Sequence, residues 1–537
     1  MLNEILFIAF NARYAHTAFG ARYLLANMGD LRPRSGLLEF DLQVQPRVAL
    51  EKILSRQPKI VLIGCYIWNI DLVTRIAALL KAVRPDIHLI LGGPEISYET
   101  EQQEVFHYAD HVICGEGEVE LPKLCRELLE RQAAGDAPPL PRKIIHAEPV
   151  DVSQIELPYD LYSDEDIKHR AIYVEASRGC PFRCEYCMSS LDPCVRYFPE
   201  EKLFSAFGKL LDRGALIFKF VDRSFNIDIR FALKVLDFFR ARYQPGMMLH
   251  FEIIPSHLPD ELMDAVKTCP PGMLQFEIGI QTFNEAVAHR IQRPLDIEKI
   301  ENNMRRLRRK TGVHIHADLI AGLPGEDLES FEHGFNRLLA LNPQEIQLGI
   351  LKRLRGAPID RHSKNWNMIY NPHAPYDILS TAQIRFEDMQ RLSRFARYWN
   401  LIVNNGQFIE TAPLLWTGGR RAACDTAPNV PQAARLLPVN GNSPFAAFMH
   451  FSDWLYAQTN TTGNLHVIRL AKLLMNYLTV EKGLAEKDVA KALWNDYRSG
   501  NRPDVPGFLK KFGFEKRDTA KVKPFIAMAR QRRHLKE

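Results

Sequence analysis

No apolar run in this 537-residue chain reaches the ~18 to 20 residues that a membrane span requires. Glu4 interrupts the first short apolar stretch, so a signal peptide is not expected either. Cysteine is scarce, with nine residues in the whole chain, which excludes a disulfide framework and fits a reducing, cytoplasmic setting. An excess of one charge is also lacking: the net +5 is small for this length and does not by itself imply a nucleic acid partner. No internal repeat is found. What is present is a hydrophobic fraction of 46%, enough for full cores, and a length that suggests roughly three domains at ~150 residues each.

The scarce cysteines are not scattered evenly. Three of them fall in Ala176-Ser-Arg-Gly-Cys180-Pro-Phe-Arg-Cys184-Glu-Tyr-Cys187-Met188, a Cys-x3-Cys-x2-Cys pattern. Soft thiolates select zinc or iron–sulfur clusters. Three of them leave one metal vertex open, where a substrate or cofactor can bind. A structural zinc site would want a fourth ligand, for which Cys194 is the candidate.

Before this triplet, strand-like and helix-like segments alternate as in a doubly wound α/β domain. The expected strands are 5–10, 38–44, 60–65, 87–91 and 111–114, with helices at 18–28, 72–83 and 120–131. Their ends carry the loops Gly64-Cys-Tyr-Ile-Trp-Asn69, Gly92-Gly-Pro-Glu95 and Gly115-Glu-Gly-Glu118. Ligands of open parallel sheets bind at the carboxyl ends of strands, and glycine permits close backbone approach. Pro138-Pro-Leu-Pro141 and Leu157-Pro-Tyr-Asp160 read as a connector.

After the triplet the alternation resumes, with strands expected at 172–176, 216–222, 248–254, 274–280, 314–321 and 346–351 and helices at 201–211, 229–243, 296–310 and 328–341. Six βα units fall short of the eight in a closed barrel. Beyond about residue 375 the pattern is helical, over 382–398, 443–458, 465–478 and 487–497. From Lys510 the chain is markedly basic, which reads as a solvated tail or as a phosphate-binding run.

The cysteine spacing, with Tyr186 just before Cys187, resembles the radical S-adenosylmethionine (radical SAM) superfamily. The preceding glycine-marked domain makes the whole similar to its cobalamin-binding branch. That resemblance implies an α/β protein: a flavodoxin-like cobalamin-binding domain over 1–134, a linker over 135–165, a partial (β/α)6 barrel over 166–360, and a mainly helical region over 361–537. It implies that Cys180, Cys184 and Cys187 hold a [4Fe–4S] cluster whose open iron chelates S-adenosylmethionine and releases a 5'-deoxyadenosyl radical. Tyr186 would place the adenine. Asp222 would accept from the cofactor's ammonium, Gln281 would meet its ribose with Glu277 as a weaker contact, and Gly322 would admit the adenine closely. Gly92 and Gly93 match the pair that lies along the nucleotide loop of cobalamin.

The first loop departs from that branch's Asp-x-His-x-x-Gly pattern. It reads Asn11-Ala-Arg-Tyr-Ala-His16-Thr-Ala-Phe-Gly20, so cobalamin is expected without a protein histidine on cobalt. Glu252, His314, His316 and Asp318 are candidates for inward-facing barrel positions, with the two histidines expected as buried polar residues satisfied by barrel hydrogen bonds. Lys352, Arg353 and Arg355 would hold the cofactor carboxylate, the corrin's acidic tail or an anionic substrate, or form a solvated cap. The resemblance implies methyl transfer to an unactivated carbon. A non-methylating rearrangement or cyclisation and RNA modification are the alternatives. An electron donor such as flavodoxin or ferredoxin is implied. Cys65, Cys114 and Cys125 are isolated and expected as buried small apolar residues.

Overall fold

The computed structural model describes residues 3–134, 143–417, 443–499, 502 and 504–514. Pro138 to Pro141, and the basic run beyond residue 514, lie outside the described residues. The chain forms two compact units. The first comprises the described residues of Met1–Arg223, Lys352–Asp360 and Asn371–Asp377, and the second those of Ser224–Leu351, Arg361–Tyr370 and Ile378–Glu537.

The first unit opens with β1 (Ile5–Asn11), α1 (Phe19–Ala26), β2 (Ser35–Asp41), α2 (Pro46–Leu54), β3 (Ile60–Gly64), α3 (Ile70–Val83), β4 (His88–Gly92), β5 (His111–Cys114), α4 (Glu120–Ala134) and β6 (Ile144–His146). The strands lie in the order β2-β1-β3-β4-β5-β6 and all pair in parallel. This is the flavodoxin-like order, extended by one edge strand, with its switch point between β1 and β3.

Side chains of a strand alternate between faces. Leu6, Ile8 and Phe10 pack in one core with Ile53 of α2 and Val73, Ile76 and Leu80 of α3. Ile5 and Phe7 join the opposite core with Leu25 of α1 and Leu124 and Leu128 of α4. Each fully buried Leu or Ile contributes roughly 1.5–3 kcal/mol, so covering both faces holds the sheet between its helices. The boundaries differ from expectation at β2, which starts earlier, and at β6. The sequence pattern placed β6 within the linker because three half-buried residues carry too little periodicity to read as a strand.

The same unit continues with α5 (Asp164–His169), β7 (Ile172–Val174), the hairpin strands β8 (Ser177–Arg178) and β9 (Arg196–Tyr197), α6 (Glu200–Asp212) and β10 (Ile217–Phe220). Here β7 and β10 pair in parallel.

The second unit holds α7 (Ile229–Ala241), β11 (Met248–Ile253), α8 (Asp260–Lys267), β12 (Leu274–Gln281), α9 (Glu285–Arg290), α10 (Ile297–Lys310), β13 (His314–Ala321), α11 (Leu328–Ala340) and β14 (Glu345–Ile350). Strands β11 to β14 pair in parallel in chain order. Asp228, Asp296 and Asp327 start α7, α10 and α11 by accepting from backbone N–H groups in the first turn, which satisfies donors that a helix leaves unpaired.

The chain ends in β15 (Ile369–Tyr370) and β16 (Ile378–Ser380), then α12 (Phe386–Trp399), α13 (Leu414–Thr417), α14 (Pro444–Thr459), α15 (Val467–Asn476) and α16 (Glu486–Ser499). Phe335 of α11 meets Trp399 of α12 edge-on at 4.9 Å between ring centroids and Phe445 of α14 at 5.5 Å. The late helices therefore share one aromatic core with the last barrel helix.

Candidate functional site

The carboxyl ends of β1, β3, β4 and β5 surround a cavity of about 630 Å³, lined among others by Asn11, Gly64, Tyr66, Trp68, Gly92, Gly93 and the loop Gly115 to Glu118. The cavity lies at the switch point of the sheet. Its walls require glycine. Gly93 has φ +99°, and a Cβ there would lie 2.7 Å from the Cys65 carbonyl oxygen. At Gly92 a Cβ would stand 3.3 Å from the Ile113 carbonyl oxygen.

Tyr66 and Trp68 stack at 4.4 Å, and the Trp68 indole donates to the Phe10 carbonyl at 3.2 Å. The sequence reading flagged their loop but not these rings, because the stack forms only once the loop turns back over β1. His16 also lines the cavity and is hydrogen-bonded through Nδ1 to the Tyr173 hydroxyl. Burial, followed by the charges of Lys219 and Arg13, holds its pKa below the usual histidine range.

The three expected cluster thiols sit on one loop. Antiparallel pairing of β8 with β9 closes it at its base. Gly179, φ +90°, packs so tightly that a Cβ would lie 2.1 Å from the Cys194 carbonyl oxygen. Cys180 N–H donates to the Asp192 carbonyl at 2.9 Å and Cys187 N–H to the Cys184 carbonyl at 3.0 Å. Cys180 and Cys184 are buried, Cys187 is partly buried and Cys194 is exposed; all four are unbridged. Tyr186 lies half-buried between the second and third thiols.

Among the described residues, no three His, Cys, Asp or Glu side chains converge on a single metal ion. Cys65 and Cys125 are buried, and burial pushes the Cys125 thiol up to about 12. This is the inert, core role expected of them.

Asp222 stands at the end of its strand as expected and is also bonded within the chain. It is buried and accepts from the Ala176 N–H at 3.0 Å and the Ser177 hydroxyl at 2.6 Å. Burial, opposed by these bonds, pushes its pKa up to about 6. It ties down the entry to the thiol loop. Gly322 has φ +89°, and a Cβ would lie 2.6 Å from Ile378 Cγ2 of β16. Packing within the second unit requires this glycine, a contact that spacing along the chain does not reveal.

Gln281 closes β12 at φ +73° beside a register irregularity at Gly279/Gln281. A non-glycine residue held in that region is costly and points to a functional constraint. Glu252, Glu277, His316 and Glu345 pair in register across β11 to β14, so they share one face. Phe251, Phe276, Ile315 and Ile346 alternate onto the other and are buried. His314 lies 3.0 Å from Glu345, and His316 lies 3.2 Å from Asp318 and 3.4 Å from Glu345. The Glu345 contact is the hydrogen bond expected of His314, whereas Nε2 of His316 is buried without one among the described residues. Burial raises Asp318 to about 6.

The arginines that follow β14 are engaged by carboxylates of the chain itself. Arg353 pairs with Glu99 at 2.6 Å, Arg355 pairs with Glu95 at 2.9 Å, and the Tyr376 hydroxyl also donates to Glu95 at 2.9 Å. Glu95 is the last residue of the Gly92-Gly-Pro-Glu95 loop, so these ion pairs brace a wall of the cavity. Lys352 is exposed.

Glu326, beyond Gly322, is 1% exposed and accepts from the Thr282 hydroxyl at 2.6 Å. Burial pushes its pKa from 4.5 up to about 7. A folded pKa above the unfolded one gives stability that is present at low pH and lost as pH rises through the folded value, here about 3 kcal/mol in all. Glu326→Gln removes this dependence. Its melting temperature should gain on the wild type between about pH 4.5 and about pH 7, measured by thermal unfolding across that range; a constant difference would refute the assignment.

Comparison with known proteins decides the class of these sites. Residues 174–338 match the radical SAM superfamily and residues 5–125 match the B12 binding domain. The chain carries a radical SAM domain and a B12 binding domain. Its cofactors are accordingly a [4Fe–4S] cluster, S-adenosylmethionine and cobalamin. Residues 364–420 match a family described only as a protein of unknown function (DUF4080).

The chain is 24% identical over 339 residues to a 2-(S-pantetheinyl)-carbapenam-3-carboxylate methyltransferase of Streptantibioticus cattleyicolor, covering 57% of this chain and 49% of that protein. It is also 24% identical over 338 residues to the cobalamin-dependent radical SAM methyltransferase TokK of Streptomyces tokunonensis, with the same coverage. The chain thus spans about half the length of these curated relatives. The solved cobalamin-dependent S-adenosylmethionine radical enzyme OxsB shares the fold, with a TM-score of 0.57, 13% identity, and coverage of 93% of this chain and 83% of that one.

Proposed function

We propose that this radical SAM protein transfers a methyl group to an unactivated carbon of its substrate. The observation that carries the reading is that one compact unit holds both the three-thiol loop and the glycine-walled cavity. Two relatives that match more than half of the chain are methyltransferases by name. When bound, the cofactors supply a 5'-deoxyadenosyl radical to activate the substrate and a methyl group to deliver to it.

The chain's own residues then bind and orient. Cys180, Cys184 and Cys187 hold the cluster, with Tyr186 beside the adenine. Gly92 and Gly93 let the nucleotide tail lie against the backbone, and Gln281 is the ribose contact. A corrin without a histidine on its metal is proposed from the first loop's departure from Asp-x-His-x-x-Gly; the Tyr173 bond to His16 uses Nδ1 and leaves Nε2 uncommitted. Asp222 holds the loop entry through Ala176 and Ser177, and its carboxylate is the acceptor for the cofactor's ammonium. A flavodoxin or ferredoxin of a reducing cytoplasm would supply the electron.

Protein reconstituted with iron, sulfide and hydroxocobalamin, then supplied with S-adenosylmethionine and a low-potential reductant, is expected to form both S-adenosylhomocysteine and 5'-deoxyadenosine. The first product should require the corrin. 5'-Deoxyadenosine alone would favour a non-methylating radical reaction, and a protein that retains no corrin would overturn the proposal.

A further inference from the structure

Arg178 and Arg196 face each other at the base of the thiol loop, in register with Arg178↔Arg196 as a cross-strand pair of β8 and β9. Two like charges placed directly opposite each other destabilise a hairpin. Here each is drawn off by carboxylates. Arg178 contacts Glu118 at 2.8 Å and Glu175 at 2.9 Å, and its guanidinium covers the Tyr23 ring at 4.8 Å. Arg196 makes a two-pronged contact with Glu116, at 2.8 and 2.9 Å, and also reaches Asp192 at 2.6 Å and the Val150 carbonyl at 2.7 Å.

Glu116 and Glu118 come from the Gly115-Glu-Gly-Glu118 loop, whose residues line the cavity. Asp192 in turn carries the carbonyl that accepts from Cys180 N–H. A run of short contacts therefore leads from the cavity wall, through two arginines, to the backbone of the first thiol. All of it lies within the first unit. Arginine suits this task because its planar fork engages a carboxylate at two points and fixes direction as well as distance.

We infer that Arg178 and Arg196 are positioning residues that couple occupancy of the cavity to the arrangement of the thiol loop. The inference rests on the proposed placement of corrin and cluster. A corrin that orders the Glu116–Glu118 loop lowers the cost of ordering the thiol loop for the cluster, and the converse holds with the same factor by thermodynamic reciprocity.

Hydroxocobalamin affinity is measured with and without prior reconstitution by iron and sulfide. Cluster loss to a chelator is measured with and without hydroxocobalamin. Hydrogen exchange of residues 177–198 in the cluster-free protein gives a structural readout. In the wild type the cluster should tighten hydroxocobalamin about tenfold and the corrin should stabilise the cluster by a similar factor, with added protection of the loop. The paired variant Arg196→Gln/Glu116→Gln removes both charges together, so neither is left buried alone. It should still take up each cofactor separately, but with coupling below about twofold. Arg178→Lys keeps the charge without the fork and should fall between the two. Wild-type protein that holds both cofactors without coupling, or a folded paired variant that keeps the full coupling, would overturn the inference alone. Wild-type protein that retains no corrin or no cluster would overturn the cofactor placement and the inference with it.

Discussion

Cys184→Ala, reconstituted anaerobically with iron, sulfide and hydroxocobalamin, is expected to hold no cluster and to keep its corrin. Cys184 is 4% exposed and alanine is small and apolar, so the fold should survive while one of only three thiolates is removed. Two thiolates cannot close the site around a four-iron core. Iron and sulfide should fall to background, and formation of 5'-deoxyadenosine should disappear with them. Cys194→Ala is the matched control. Cys194 is exposed, and its contribution to the loop is a backbone carbonyl against Gly179, which alanine also carries. Metal analysis and optical spectra of the two variants decide the matter. A cluster that survives Cys184→Ala, or is lost in Cys194→Ala, would refute the three-thiol assignment.

Gly93→Val should have the opposite effect, emptying the corrin cavity while the cluster remains. At φ +99° an L side chain is strained by about 1–3 kcal/mol, and its Cβ would also press within 2.7 Å of the Cys65 carbonyl oxygen and 3.1 Å of the Cys65 N. Neither atom is a flexible side-chain tip, so the loop itself must shift. The expected loss is about ten- to a hundredfold in hydroxocobalamin affinity, read by retention on a desalting column and by titration. Gly463→Ala serves as control, since a Cβ there meets nothing within 4 Å. Equal corrin retention by Gly93→Val and wild type would remove Gly93 from the cavity wall. Together, the two variants separate the cofactors: each should lose one and keep the other, held about tenfold less tightly through the loss of coupling.

Much of the architecture was legible in the chain because it rests on local periodicity. The strand 314–321 and the helices 229–243 and 328–341 were expected within about two residues of where they lie, since their apolar spacing and capping aspartates are short-range signals. β6 was not legible, for it is a three-residue edge strand defined by pairing with β5. Among the candidate site residues, the thiols, Gly92 and Gly93 stand out on local signals alone: thiolates have few alternative uses in such a spacing, and paired glycines at a strand end have few reasons to be there.

For Asp222, Gly322, Arg353 and Arg355 the intrachain partners were not legible in the same way. A carboxylate, a glycine or a guanidinium serves a ligand or a neighbouring chain segment with the same chemistry, and the sequence does not state which neighbour arrives. Asp222 holds Ala176 and Ser177, a partnership 46 residues apart. Gly322 makes room for Ile378, and Arg355 reaches Glu95 from 260 positions away. The stacked Tyr66 and Trp68, and the contacts of Arg178 and Arg196 with Glu116 and Glu118, have the same origin.

By itself, then, the sequence determined the kind of chemistry: three soft thiolates on one short loop and glycine-rich strand ends on an alternating α/β chain, all properties of residues close together. Only the tertiary structure decided which polar groups are spent inside the protein and which line a cavity. Burial and hydrogen-bond pairing are settled by residues far apart in the chain, and a charged side chain binds whichever partner the fold brings within about 3 Å.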